Sequence, residues 1–212
     1  TGHFPVLFAA ETARSLIGHL LGAVSGGALY RRASFLLDHA GKQVLARGID
    51  LVERPHLLRA PRSAAFDSEG VVTTDSPLVL DGVLQRYVLG SYSARKLGLA
   101  STANAGGVHN LIVSTSPHDL ATLIREMKRG LLVTELMGQG VNTLTGDYSR
   151  GAAGFWIENG EIAYPVDEAT IAGNVKDMLL GIQAIGSDID LRSHVRTGSI
   201  WVDRMMVAGA QC

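Results

Sequence analysis

Residues 146–165 read GDYSRGAAGFWIENGEIAYP, a run in which glycines stand beside one arginine and several aromatics. A glycine loop that cradles phosphate runs into a helix whose N-terminal N–H groups face the anion. Here the run continues as a β-hairpin instead. Asn159-Gly160 suits a type I′ turn, because both central positions of that turn need positive φ. Counting outward, Ile157 faces Ile162 and Phe155 faces Tyr164, whereas Glu158 faces Glu161. Like charges directly opposite each other are tolerated where water screens them. The count therefore predicts a wet face carrying the glutamates and a buried face carrying the four large residues. The stretch reads first as a piece of core.

The flanking sequence supplies the other elements. A short strand at Val6–Phe8 precedes Ala13, Leu16, Ile17, Leu20, Leu21 and Val24, which make one helical stripe that Gly26-Gly27 stops. His19 falls off that stripe and is expected to be exposed. From Ile49 to about Leu89 the pattern turns to β, with Asp81-Gly82 as a hairpin turn, and a short helix follows at Tyr92–Leu97. A second helix is predicted from Ser116 as cap and Pro117 at the first helical position, with Leu120, Leu123, Ile124 and Met127 on its apolar face. After a strand at LLVTELM and the hairpin, a third helix is predicted over Glu168 to Ile185, and GSIWVDRMMVAG closes the chain in β structure. Hairpins and three separated helices do not give strict strand–helix alternation. The fold class is therefore α+β, a mainly antiparallel sheet, sandwich or barrel-like, with about three helices.

The 212 residues are 46% hydrophobic with a mean hydropathy of +0.18, which describes a packed globular chain. With 19 basic and 20 acidic residues the net charge is −1, so there is no electrostatic footprint for direct nucleic-acid binding. The sequence contains no apolar run of about 18 residues that would span a membrane, and no signal-peptide pattern at its start. The lone cysteine, Cys212, fits a reducing compartment. The start at Thr1 has the look of a cut edge or of a processed terminus. Without a linker, repeat or low-complexity tract, residues 1–212 are read as a single domain.

The sequence carries few chemical motifs. The seven histidines stand no closer than nine residues apart, so none forms an HxH or HExxH pair. Ser93-x-x-Lys96 has the spacing by which a lysine activates a serine, but its companion SDN and KTG patterns and any GxSxG are missing. Cys212, as a terminal residue, is poorly held for nucleophilic work. Asp188-x-Asp190 and Asp67-x-Glu69 read as turn and solubility pairs. Asp147, Tyr148 and Arg150 form the most suggestive cluster: Arg150 either grips a carboxylate bidentately or pairs internally with Asp147 or Glu135.

Several long stretches together resemble one family: SFLLDHAGKQVL, PHLLRAPRSAAFDSEGV, SYSARKLGLAST, TELMGQGVNTLTGDYSRGAAGFWIENGEIAYPV and ATIAGNVKDMLLGI. They are similar to the C-terminal part of the PmbA/TldE proteins, the partner subunits of the TldD/TldE peptidase system also called modulators of DNA gyrase. The likeness runs over nearly the whole chain and implies that the family's N-terminal domain lies outside it. It further implies a cytoplasmic protein that pairs with a TldD-like subunit, or with itself, and acts on extended or unfolded peptides.

In that family the TldD subunit carries zinc on an HExxxH helix. The matching segment here is AAETARSL, where Ala9, Ala10 and Arg14 replace the first histidine, the glutamate and the second histidine, and no cysteine stands near DLRSHVRTG. The resemblance thus implies a chain without zinc or other cofactor, with zinc in the TldD-like partner. On this reading no residue here is catalytic, and Asp147, Tyr148, Arg150 and Trp156 are candidate peptide or interface contacts. The expected function is that of a non-catalytic subunit of a zinc metallopeptidase. The alternatives are a serine hydrolase using Ser93 and Lys96, or a self-associating scaffold.

Overall fold

A computed structural model describes residues 1–209; Cys212 lies outside the described residues. In chain order the elements are β1 (Gly2–Phe8), α1 (Ala10–Ala23), α2 (Gly26–Tyr30), β2 (Leu51–Glu53), β3 (Ser76–Leu80), β4 (Val83–Leu84), α3 (Ser91–Leu97) and β5 (Leu111–Val113). There follow α4 (Leu120–Met127), β6 (Gly130–Met137), β7 (Asp147–Glu158), β8 (Glu161–Asn174), α5 (Val175–Leu180), β9 (Ile182–Ile185), β10 (Val195–Arg196) and β11 (Ile200–Ala208).

The larger sheet runs β1-β6-β7-β8-β11-β9, and β11 also pairs with β1, so five of its strands close into a barrel-like ring. The smaller sheet runs β10-β5-β2-β3-β4. The α+β, mainly antiparallel expectation holds, with β1–β6 and β10–β5 as the parallel pairs.

Alternation explains why the strands at the centre of the large sheet are apolar throughout. Val6, Phe8, Leu131 and Val133 point into a core shared with α1 residues Ala13, Leu16, Ile17 and Leu20, whereas Leu7 and Leu132 point the other way onto Leu123 and Met127 of α4. Side chains alternate with period 2, so a strand covered on both faces reads as a continuous hydrophobic run.

Four local expectations need correction. The helical stripe Ile171, Val175, Met178, Leu179 and Ile182 is buried, but Ile171 and Ile182 reach the core from β8 and β9, and only residues 175–180 are helical. The Asn174 side chain caps α5 by accepting from the N–H of Lys176 at 3.1 Å. Helix α4 starts at Leu120 with Asp119 as its cap, because that carboxylate accepts from the N–H of Thr122, and Ser116 is tied instead to the carbonyl of Ile185. Gly26-Gly27 opens a further short helix behind the Ser25 cap, and among the described residues there are five helices where about three were expected.

The hairpin turn is as expected, with φ of 52° at Asn159 and 80° at Gly160, and Glu158 opposes Glu161. Beyond Ile157 a bulge places Trp156, in place of Phe155, opposite Tyr164. At the tip the N–H of Gly160 donates to the carbonyl of Lys128 at the end of α4, and Ile157 is buried with Leu123 and Met127 while Ile162 and Tyr164 are exposed.

Candidate functional site

Helix α1 begins where the chain leaves β1. The N–H of Ala9 donates to the carbonyl of Val133, and the Thr12 hydroxyl donates to the same carbonyl at 3.1 Å, which locks the first turn of α1 onto β6. Ala9 and Ala10 are half-buried there and Arg14 is exposed. The fold brings this turn against the segment that follows β9. Arg14 Nη1 lies 3.8 Å from Asp190 Oδ2, and Arg192 donates from Nε to Asp190 Oδ1 at 2.9 Å and from Nη2 to both Asp190 and Glu11.

The resulting lattice is Glu11, Arg14, Asp190 and Arg192. Hydrogen bonds from the side chain and N–H of Arg192 hold Asp190 below the usual carboxylate range, against the opposing effect of burial. Bonds to Asp190 and then Glu11 hold Arg192 above its ordinary value. The chemistry available at this crossing is charge pairing. Alanine methyls offer no lone pair, and two guanidinium groups repel a dication. Among the described residues no group of three or more His, Cys, Asp or Glu is placed to hold a metal ion.

The Asp147, Tyr148 and Arg150 cluster divides. Asp147 is exposed and accepts from the Thr145 hydroxyl at 2.7 Å. Arg150, half-buried, makes no ion pair with Asp147 or Glu135 among the described residues, which removes the internal pairing considered from sequence. Tyr148 is 3% exposed, and burial pushes its phenol up to about 12 against the pull of the Arg150 guanidinium. His19, expected on the surface, is half-buried and stacks edge-on to Tyr148 with ring centroids 5.9 Å apart. Burial, and then Arg150, lowers its pKa.

Trp156 packs edge-to-face on Phe4 at 5.0 Å, with Arg129 over both rings, and its indole donates to Glu158. Both aromatics line a groove of about 640 Å³ together with Tyr164, Pro165 and Glu168. Along this groove the register of β11 against β8 stops at Thr170, so among the described residues β8 pairs only with β7 from Glu161 to Ala169.

Ser93 donates to the carbonyl of Gly90 within the first turn of α3, and the Lys96 ammonium lies 5.8 Å from the Tyr92 ring centre, so neither is aimed at the other. Asp67 accepts from the N–H groups of Glu69, Val71 and Ala105, and Asp188 from the N–H and hydroxyl of Ser199, so both carboxylates pin loops.

Sequence reading missed a buried network around Glu53, which accepts from Asn104, His109 and Arg86. Residues 53, 86, 104 and 109 are far apart in the chain, so no local spacing signals it. Among the described residues no helix is long and apolar enough to cross a membrane.

Residues 1–209 match the family described as the PmbA/TldA metallopeptidase C-terminal domain. The chain is 54% identical over 210 residues to the metalloprotease PmbA homolog of Haemophilus influenzae, covering 99% of this chain and 47% of that protein. It superposes on a crystal structure from Bacteroides thetaiotaomicron, described as a candidate modulator of DNA gyrase, with a TM-score of 0.94 at 31% identity, covering 99% of this chain and 47% of that one. For TldE from Thermococcus kodakarensis the TM-score is 0.85 at 26% identity, over 98% and 50% of the two chains. The chain spans about half the length of the curated relatives it matches.

Proposed function

Because the chain belongs to the PmbA/TldA metallopeptidase C-terminal domain family, we propose that it serves as the non-catalytic, TldE-type part of a cytoplasmic TldD/TldE peptidase. On this reading it supports a zinc-bearing TldD-like subunit and helps enclose extended peptides. The observation that carries the proposal is the crossing of α1 with the segment after β9. Where a TldD chain would carry HExxxH, this one presents Ala9, Ala10 and Arg14, and Arg14 is drawn into a lattice of paired charges with Asp190. Such residues do not fit a catalytic dication, so peptide-bond hydrolysis is assigned to the neighbour.

Enclosure of peptide is supported by the stretch of β8 from Glu161 to Ala169, which among the described residues pairs only with β7, beside the aromatic groove. Extended chains bind such edges through main-chain hydrogen bonds that tolerate many sequences, while pockets take alternate side chains. Similarity to TldE adds weight to the subunit assignment over a self-sufficient enzyme.

Zinc analysis of the intact protein, alone and after purification with a TldD-type subunit, tests the proposal. The expected result is no stoichiometric zinc alone and peptide cleavage only in the complex. Stoichiometric zinc held by this protein alone, or turnover in isolation, overturns it.

A further inference from the structure

A cavity of about 630 Å³ lies between the end of α4 and the β7–β8 turn, lined by Arg125, Lys128, Arg129, Glu158 and Asn159. All five residues are exposed, so the cavity is open to solvent. Three cations share it with one carboxylate, in a chain whose net charge is −1. Among the described residues none of the three cations makes an ion pair, either with Glu158 or with Glu161, which opposes it across the turn.

Cations at a helix C-terminus ordinarily serve its last carbonyls. Here the carbonyls of Ile124, Met127 and Lys128 already accept from the N–H groups of Lys128, Arg129 and Gly160. The cations are held in place without being neutralised. Arg125 donates to the Thr122 hydroxyl at 2.9 Å, and the Arg129 guanidinium lies over the Phe4 and Trp156 rings. Glu158 is drawn aside to the Trp156 indole N–H at 3.3 Å. Lys128 itself sits at φ 60° and ψ −46°, a conformation that side chains rarely adopt. Strain of this kind clusters where function keeps it.

The chemistry of the cavity selects its ligand. Clefts lined by one sign of charge concentrate the other, and a guanidinium fork takes a carboxylate bidentately. The N–H groups of Lys128, Arg129 and Gly160 are committed to carbonyls, so they cannot form the backbone nest that holds a lone phosphate. The volume is that of a pocket for several groups, not for one small ion. Cations spaced around it suit several carboxylates carried on one flexible chain. The fold also gives such a chain its course. The stretch of β8 that pairs only with β7 among the described residues starts at Glu161, beside the turn that lines the cavity. Phe4 and Trp156, under Arg129, line the neighbouring groove.

We propose that the cavity of Arg125, Lys128 and Arg129 binds the acidic segment of an extended peptide. This names the class of peptide for the enclosure proposed above and rests on that reading. Binding to this protein alone tests the site, whereas zinc and cleavage test the reading.

The test is binding of a fluorescein-labelled peptide, four Glu alternating with Ser, to the intact protein, followed by anisotropy. Its Gln counterpart is compared directly, and inorganic phosphate and a short single-stranded DNA serve as competitors. The expected result is saturable binding of the Glu peptide that weakens as salt rises, and at least tenfold weaker binding of the Gln peptide. Arg125→Gln and Arg129→Gln are each expected to bind the Glu peptide at least threefold more weakly.

Lys128→Gly separates charge from fold. Glycine adopts positive φ without the side-chain penalty, so thermal stability is expected to hold or rise while binding falls at least threefold. Equal binding of the Glu and Gln peptides, no binding of the Glu peptide, or unchanged binding in any of the three variants overturns the site. Phosphate that competes as tightly as the peptide means an adventitious ion only, and DNA that binds more tightly than the peptide overturns the peptide as its occupant.

Discussion

The N–H of His109 donates to Oε1 of Glu53 at 2.6 Å, and the ring Nδ1 of the same histidine lies 2.9 Å from that oxygen. Glu53 is 2% exposed, and its second oxygen accepts from Arg86. One carboxylate thus ties β2 to the loop before β5 and to the segment after β4. Removing one partner of a buried ion pair leaves the other charge uncompensated, at a cost of about 3–5 kcal/mol. Glu53→Ala is expected to lose stability on that scale in urea denaturation. A loss below about 1 kcal/mol would show that the network contributes little.

The same carboxylate sets a pH dependence. Burial alone would raise the pKa of Glu53, but the N–H of His109, the amide of Asn104 and the charge of Arg86 together hold it below the ordinary value. A depressed folded pKa means that the stabilisation is fully present above the unfolded value of about 4.3 and fades as pH falls through the lower folded value. The stability difference between the natural protein and Glu53→Gln is therefore expected to shrink on acidification below about pH 4. A difference that stays constant from pH 6 to pH 3 in denaturation curves would count against this assignment.

How far the fold was legible depended on how local its causes are. Asn159-Gly160 and the α1 stripe could be read because turn chemistry and helical period act within a few residues. Residues 168–185 misled because Ile171, Val175, Met178 and Ile182 keep helical spacing while two strands and one short helix deliver them to the same core. Bulges defeated the hairpin register, since one extra residue on β8 shifts every partner beyond it. At the site, the departures at Ala9, Ala10 and Arg14 were visible in the sequence. The pairing of Arg14 with Asp190 was not, because the two stand far apart in the chain and no local pattern links them.

Gly154 shows why this strand pair carries glycine. It faces Val133 beside a bulge, and an added Cβ would lie 1.9 Å from the carbonyl oxygen of Leu132 and 3.1 Å from the nitrogen of Thr134. Neither neighbour is a flexible side chain that could swing aside. Gly154→Ala is expected to cost about 3 kcal/mol or more, by forcing β6 and β7 apart. Gly18→Ala, with nothing near its added Cβ and a site within α1, is the control and is expected to gain up to about 1 kcal/mol from helix propensity. Thermal unfolding of the two variants checks both signs.

The Phe4, Trp156 and Arg129 cluster yields a prediction that separates packing from charge. Trp156 is 9% exposed, meets Phe4 at an interplanar angle of 87°, and has the Arg129 guanidinium 5.8 Å from its ring centre. Trp156→Ala removes a large buried side chain and leaves a cavity, so a loss of about 3–5 kcal/mol is expected. Arg129→Ala removes an exposed cation–π contact, expected to be worth about 0.5–1 kcal/mol. Because Arg129 also lies 5.4 Å from the Phe4 ring centre, its contribution should survive in part when Trp156 is replaced by Leu, and vanish only when Phe4 is replaced as well. A cycle built from Arg129→Ala in the natural, Trp156→Leu and Phe4→Leu/Trp156→Leu backgrounds measures this in urea. Coupling that falls to zero with Trp156→Leu alone would mean that the indole is the only ring the guanidinium uses, and that Phe4 acts through packing.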